Sequence, residues 1–290
     1  IRSTKTLIGI LAAISWNFLG IRSQRRKDSL LSRSSHCYHN SNLAQAATGT
    51  GFNLELGNNL IDGRFVERVN RFLALVDIDG REVGVHVANS GRMKELFLPG
   101  VRVLVKPAPG EHRKTKFDLA LVDLGFTLVS ADAKLPNTLV AEAIAEGHLS
   151  QFSEYSEITR EVPFGESRLD LMLNGETGKC YVETKSVTLV EKGMGLFPDS
   201  PTIRGAKHLQ SLATAVEAGH RAAVVFVVQR ADVSAFATND PADQLLSETF
   251  RWACSFGVEA YAYSCRVTES SVRLDRNLPI VPFARLGDDA

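Results

Sequence analysis

Apolar and polar residues alternate with a period of two from Leu60 to Phe126, the mark of short strands with one buried side. "GRFVERV" (63–69), "RFLALVDIDG" (71–80) and "REVGVHVAN" (81–89) read as three strands, and Asp79-Gly80 as the hairpin turn between the second and third. "SGRMKELFLPG" (90–100) reads as a loop with a single helical turn closed by Pro99-Gly100. "VRVLVKPAP" (101–109) and "FDLALVDLG" (117–125) complete the set. Five short strands with one short helix after the third predict a small OB-like β-barrel as a first domain over 59–126.

Beyond Phe126 the elements lengthen. "PNTLVAEAIAEG" (136–147) predicts a helix capped by Asn137, with Leu139, Val140, Ala143 and Ile144 as its apolar stripe and Gly147 as its end. "ITREVPF" (158–164), "RLDLML" (168–173) and "KCYVETKSV" (179–187) read as three strands, and "TIRGAKHLQSLATAVEAG" (202–219) as a strong helix. "RAAVVFVVQR" (221–230) is apolar throughout, as a strand covered on both faces must be. A helix over 241–257 and a strand over 258–267 follow. The order α-β-β-β-α-β-α-β predicts a mixed α/β sheet with helices on both faces, a second domain over 127–290.

Residues 1–58 break both patterns. The apolar run "LIGILAAISWNFLGI" (7–21) is short for a membrane span, and an Arg- and Ser-rich stretch nearly free of acid follows. Such a composition builds no core and is typical of organelle import; the reading expects a targeting leader, to a plastid before a mitochondrion, with the natural start upstream of Ile1. A secretory leader and a cytoplasmic chain are the alternatives, and no membrane attachment is expected after processing. The chain carries 33 basic and 33 acidic residues, but the leader holds seven of the former and two of the latter. The remainder therefore has 26 against 31. That balance excludes a broadly basic nucleic-acid coat and leaves only local patches. Cys37, Cys180, Cys254 and Cys265 show no paired spacing, so neither a zinc site nor a disulfide framework is expected.

The charges inside "RLDLMLNGETGKCYVETKSV" (168–187) need an explanation, since burying a carboxylate is costly. Side chains two apart on a strand share a face, so Glu183 and Lys185 point together. Pairing Leu173 with Gly178 around a four-residue loop (Asn174–Thr177) sets Asp170 opposite Tyr181 and on that same face. Leu169, Leu171, Leu173, Cys180 and Val182 are left as core. Asp170, Glu183 and the Thr184 backbone carbonyl form an oxygen-rich set suited to Mg²⁺ or Mn²⁺, with Lys185 to orient a water or stabilise charge on a phosphate. The alternative is a structural ion pair on a hairpin. Arg71, Arg92 and Lys114 stand out on the barrel as backbone-binding candidates with Phe72 near for stacking, against a reading as ordinary solvated charges. Arg204, Lys207 and His208 at the start of the 202–219 helix could hold phosphate, or form a solvated helix face; Asp199 or Thr202 would cap that helix. Glu142, bordering its helix's stripe, is either a metal-site acid or a solvated glutamate.

Residues 60–280 resemble the sugar fermentation stimulation protein A family. "RFLALV" (71–76), "HVANSGRMKELFLPG" (86–100), "RKTKFDL" (113–119), "LPNTLVAEAI" (135–144), "SRLDLML" (167–173), "CYVETKSVTLVEKGMGLFPDSPTIRGAKHL" (180–209) and "VVFVVQR" (224–230) carry the resemblance. It implies an OB-like domain joined to a PD-(D/E)xK nuclease-like α/β domain, with DNA as partner. It sets Asp170, Glu183 and Lys185 on the nuclease catalytic positions and Glu142 on a first-helix acid. Leu169 stands where the motif has Pro. The resemblance leaves cleavage open: a DNA-binding or regulatory protein on a nuclease scaffold is the rival, a carbohydrate-binding module a third reading, and a homodimer one option for the assembly.

Overall fold

The computed structural model of this chain describes residues 52–282; the leader expected over 1–58 lies outside them except for residues 52–58. Those few residues belong to the fold. β1 (Leu54–Glu55) pairs antiparallel with β16 (Ser271–Asn277), and Leu56 is buried in the second domain's core. Two residues are too few to display a period, so the sequence merges them with the acid-poor stretch before them.

β2 (Ile61–Asn70), β3 (Leu73–Ile78), β4 (Arg81–His86), β5 (Arg102–Pro107) and β6 (Phe117–Asp123) form the barrel. β2 pairs with β3 and β5, β3 with β4, β5 with β6, and a parallel β4–β6 contact closes the ring. Asp79 and Gly80 have φ of 52° and 77°, the left-handed pair that a two-residue hairpin turn demands. The expected helical turn is a single hydrogen-bonded turn, in which the Leu96 and Phe97 amides donate to the Met93 carbonyl (both 3.1 Å). β7 (Leu128–Ser130) adds to β6, and Val129 and Ala131 fill the barrel core, so the barrel ends at 131 rather than 126.

The second domain runs α1 (Leu135–Ala145), β8 (Tyr155–Phe164), β9 (Ser167–Gly175), β10 (Gly178–Val187), β11 (Val190–Glu191), β12 (Met194–Phe197), α2 (Ile203–Glu217), β13 (Arg221–Val228), β14 (Ala235–Thr238), α3 (Gln244–Ser255), β15 (Glu259–Val267) and β16. The expected order is present, with β11, β12 and β14 added as short strands and β16 between β15 and β1. The main sheet reads β1-β16-β15-β13-β10-β9-β8, and its centre, β15, β13 and β10, is parallel. As its apolar run requires, β13 lies between two cores: Ala223, Val225 and Val227 face α1, while Val224, Phe226 and Val228 face α2 and α3.

Asn137 does not cap α1. Lys134 holds that position without a side-chain bond, and Pro136 occupies the first turn, where its missing N–H leaves no orphan. α2 starts at Thr202, whose hydroxyl accepts from the Gly205 amide (3.0 Å). α3 starts at Asp243, which accepts from Leu246 N through Oδ1 (3.0 Å) and from Thr202 N through Oδ2 (2.8 Å). One carboxylate thus ties the two helix starts together. Among the described residues no helix is long and apolar enough to cross a membrane.

The domains share a core. Leu104 and Leu121, on the outside of the barrel, pack with Leu139, Val140, Phe152 and Leu171 beneath α1. Gln229 stitches the seam: its carbonyl accepts from Ser130 N (3.1 Å), and its amide donates to Asp132 O (3.0 Å) and Ser186 Oγ (2.8 Å). In the barrel's 90–100 loop, Glu95 Oε1 is buried without a partner. Burial first, then the charges of Asp199 and Glu191, push the Glu95 carboxyl above its ordinary range, against its own backbone amide and Arg230.

Two outcomes test this packing. Asp243→Ala removes a cap and a tie and should cost about 2 kcal/mol in urea unfolding, against about 1 kcal/mol for Thr202→Ala, which loses a cap alone. Glu95 has a folded pKa raised above its unfolded value, so its ionised form weighs against folding at neutral pH. Glu95→Gln should therefore stabilise by about 1 kcal/mol near pH 7, with the gain fading as pH falls into the ordinary carboxyl range, where wild type is also neutral. Urea midpoints for both proteins between pH 4 and 8 check the sign; a constant difference rejects the assignment.

Candidate functional site

A turn of only two residues, Glu176-Thr177, joins β9 to β10, so that Leu173 faces Cys180 and Met172 faces Tyr181. The expected register, Leu173 opposite Gly178, is off by two. Gly178, at φ 111°, lets β10 begin directly after the turn. Because faces alternate with period two, a shift of two leaves the residues paired across the ladder, Leu173 with Cys180 and Leu171 with Val182, on their expected faces. Leu171, Leu173, Cys180 and Val182 are buried beneath α1, and Leu169 joins the core on the α2 side instead.

Glu183 projects from the middle of the main sheet and is only 3% exposed. Its Oε1 takes the Lys185 ammonium (2.5 Å) and the Nδ1 of His208. The guanidinium of Arg204 donates through Nε to His208 Nε2 (3.3 Å), which leaves Nδ1–H as the imidazole's donor to Glu183. Burial would raise the Glu183 carboxyl, but Lys185 and His208 outweigh it and hold it below its ordinary range. The second oxygen, Oε2, is buried with no hydrogen-bond partner. Asp170 Oδ2 accepts from the Thr184 amide and hydroxyl, both at 2.7 Å. Burial, then the neighbouring Glu183 charge, push the Asp170 carboxyl up despite those bonds. Two carboxylates in one site are thus driven apart in proton affinity. Among the described residues no three His, Cys, Asp or Glu side chains gather as a ready metal cage.

These groups line a cleft of about 640 Å³ at the seam between the domains. Asp199 guards its mouth, accepting from the Met93 amide (3.1 Å) and from the Ser200 hydroxyl (3.2 Å). A Cβ on Gly91 would come within 2.5 Å of Asp199 Oδ2, so only glycine lets the barrel loop approach so closely. Asp199 therefore ties the domains, and Thr202 is the cap.

Asp170, Glu183, Thr184, Lys185, Arg204 and His208 all line the cleft. Glu142 and Lys207 do not. Glu142 lies one helical turn beyond Thr138, where its carboxylate pairs with Arg160 (2.7 Å) and steadies an arginine that does line the cleft. Lys207 is a hundred degrees around the helix from His208 and pairs with Glu166 (3.0 Å) on the outer surface. His208, expected to meet phosphate, is buried against Glu183 instead. On the barrel, Arg71 and Arg92 line a second groove and Lys114 a third. Arg68 is scaffold: its guanidinium donates to the carbonyls of Gly91, Arg92, Arg71 and Asn89 at 2.6–3.0 Å and lies over the Phe97 ring. Sequence reasoning missed Asn137, Arg160 and Glu161 as lining residues. Glu161 holds φ at 54° between the pairs Arg160–Leu171 and Val162–Leu169, a strained conformation that no pattern of residue types announces.

A family model described as the SfsA N-terminal OB domain matches residues 66–131, and one described as the sugar fermentation stimulation protein RE domain matches 134–271. The sugar fermentation stimulation protein homolog of Desulforamulus reducens is 45% identical over 221 residues, which is 76% of this chain and 92% of that protein. The homolog from Citrifermentans bemidjiense is 45% identical over 230 residues, 79% of this chain and all of that protein. The solved structure of Pyrococcus furiosus SfsA in complex with Ca²⁺ superposes with a TM-score of 0.74 at 30% identity, over 79% of this chain and 98% of that one.

The Glu183 pairing has a direct test. With side-chain exposures of 3% and 12%, Glu183 and Lys185 form a buried pair, and breaking one leaves an uncompensated charge. Lys185→Ala should lose about 3 kcal/mol in urea unfolding. A loss below about 0.5 kcal/mol, the scale of an exposed pair, contradicts the burial.

Proposed function

The chain belongs to the sugar fermentation stimulation protein family, and from that premise we propose that it binds DNA and hydrolyses phosphodiesters at the Asp170–Glu183–Lys185 cleft with the help of a divalent cation. One observation carries the reading: Glu183 Oε2 is buried beside Asp170 and has no partner. A protein seldom leaves a buried carboxylate oxygen unmatched unless a ligand serves it. Two carboxylates form a hard oxygen donor set that fits Mg²⁺ or Mn²⁺, and Asp170 and Glu183, joined by the Thr184 carbonyl, are the residues that would hold it. The P. furiosus relative was solved with Ca²⁺, a cation of the same oxygen-seeking class. When bound, such an ion polarises a phosphoryl oxygen and lowers the pKa of a coordinated water.

The chain's own residues supply the rest. Glu183 Oε1 anchors the Lys185 ammonium, leaving it fixed beside the carboxylates to stabilise charge on a phosphate or orient the attacking water. His208 donates to the same oxygen and sets the carboxylate's orientation, so Oε2 faces one direction only. Arg160 and Arg204 reach the cleft as phosphate-holding cations, each already steadied, by Glu142 and His208 respectively.

A non-catalytic DNA-binding protein on the same scaffold is the second reading, favoured by how fully Glu183 Oε1 engages Lys185 and His208. Purified protein should cut single- or double-stranded DNA with Mn²⁺ or Mg²⁺, and Asp170→Ala and Lys185→Ala should each lose at least about 100-fold. Equal activity in all three proteins removes the catalytic assignment. Salt-sensitive DNA binding without any cleavage selects the second reading. Independently of turnover, Mn²⁺ at a hundredfold excess over its Kd should stabilise wild type by about 2.7 kcal/mol and leave Asp170→Ala unmoved.

A further inference from the structure

The carboxylate cleft does not end at the domain seam. Across Ser90, Gly91 and Ser200 it passes into a groove of about 670 Å³ on the barrel, walled by Arg71, Arg92 and Lys94. That groove passes Asn70 into a third, of about 370 Å³, holding Phe72, His86 and Lys114. The three recesses share lining residues at each junction and so form one track.

Its chemistry is directional. Glu67 is the single acid along the second groove, and the third has none. Arg71, Arg92, Lys94 and Lys114 form no ion pair among the described residues. On a body with more acid than base, such a local run of unspent cations marks where a polyanion lies. At the far end the Phe72 ring is 48% exposed and lies 6.4 Å from the His86 ring, tilted by 31°. An exposed aromatic face at the end of a run of cations offers a stacking platform to a base that is free of its complement. A duplex keeps its base faces stacked inside and offers none.

We infer that the track binds single-stranded DNA, with bases stacked at Phe72 and His86 and the backbone led past Arg71, Arg92 and Lys94 to the carboxylates. The substrate class is thus a single-stranded tail or gap rather than blunt duplex. This rests on the cleft being a phosphodiester site, but the two ideas fail separately. Arg68 serves the track indirectly: by holding the Gly91 and Arg92 carbonyls it fixes the loop that forms the junction.

The test is fluorescence anisotropy with a labelled 15-nucleotide strand and its blunt duplex, in EDTA so that nothing is cut, followed by cleavage assays with Mn²⁺. Wild type should bind the single strand at least about tenfold tighter than the duplex. Phe72→Ala and Arg92→Ala should each weaken single-strand binding about tenfold and slow cleavage of tailed substrates, while Lys207→Ala, off the track, changes neither. Single-strand preference lost in Phe72→Ala with no cleavage by any protein upholds the track and removes the nuclease reading. Equal binding of both DNAs by wild type, or undiminished single-strand binding by Phe72→Ala and Arg92→Ala, overturns the track whatever the cleavage assay shows.

Discussion

A carboxylate sealed into the middle of a sheet must be matched by positive charge, and Glu183 imposes that condition on everything around it. The lysine two residues along the same strand supplies one partner, since two is the shortest spacing that returns a side chain to the same face. The second partner, His208, comes from α2, so the helix must start and pack with its first turns directly over β10. Thr202 and Asp243 fix that start by caps, and Asp243 links it in turn to α3. The site's electrostatics and the helical layer's position are one problem with one solution.

The barrel is held by the same economy of contacts. Leu104 and Leu121 turn outward to complete the core under α1, and Gln229 spans β13, β10 and the interdomain strap with a single amide. At the cleft mouth, Asp199 meets the barrel loop where Gly91 alone permits it. The cleft is therefore a property of two domains together: neither contributes a complete wall.

Much of this was legible in the residues. The period-two barrel strands, the apolar β13 and the Thr202-led helix follow from local pattern, and the shared face of Glu183 and Lys185 needed parity alone. Parity is also why a register wrong by two still put Leu171, Leu173, Cys180 and Val182 in one core. What was not legible depended on distance in the chain or on brevity. Glu142 looked like a site acid until Arg160, eighteen residues away, claimed it. Arg68's part as scaffold leaves no mark in the residue pattern, because three of its four carbonyl partners lie more than twenty residues along the chain. β1, β7 and β11 are two or three residues long and exist because a neighbour's edge was open, not because their own sequence asks for a strand.

The pairing of β1 with β16 changes what counts as a domain in this chain. Leu54–Glu55 precede the barrel yet finish the far edge of the α/β sheet, so the barrel is an insertion within the other domain rather than a bead before it. Cutting the gene at residue 131 would strip that edge and leave β16 with bare amides and carbonyls, an invitation to intermolecular pairing. It also sets a boundary for any maturation event. Any trimming from the N-terminal side must stop short of Phe52, because Phe52, Leu54 and Leu56 already pack into the core of the α/β domain.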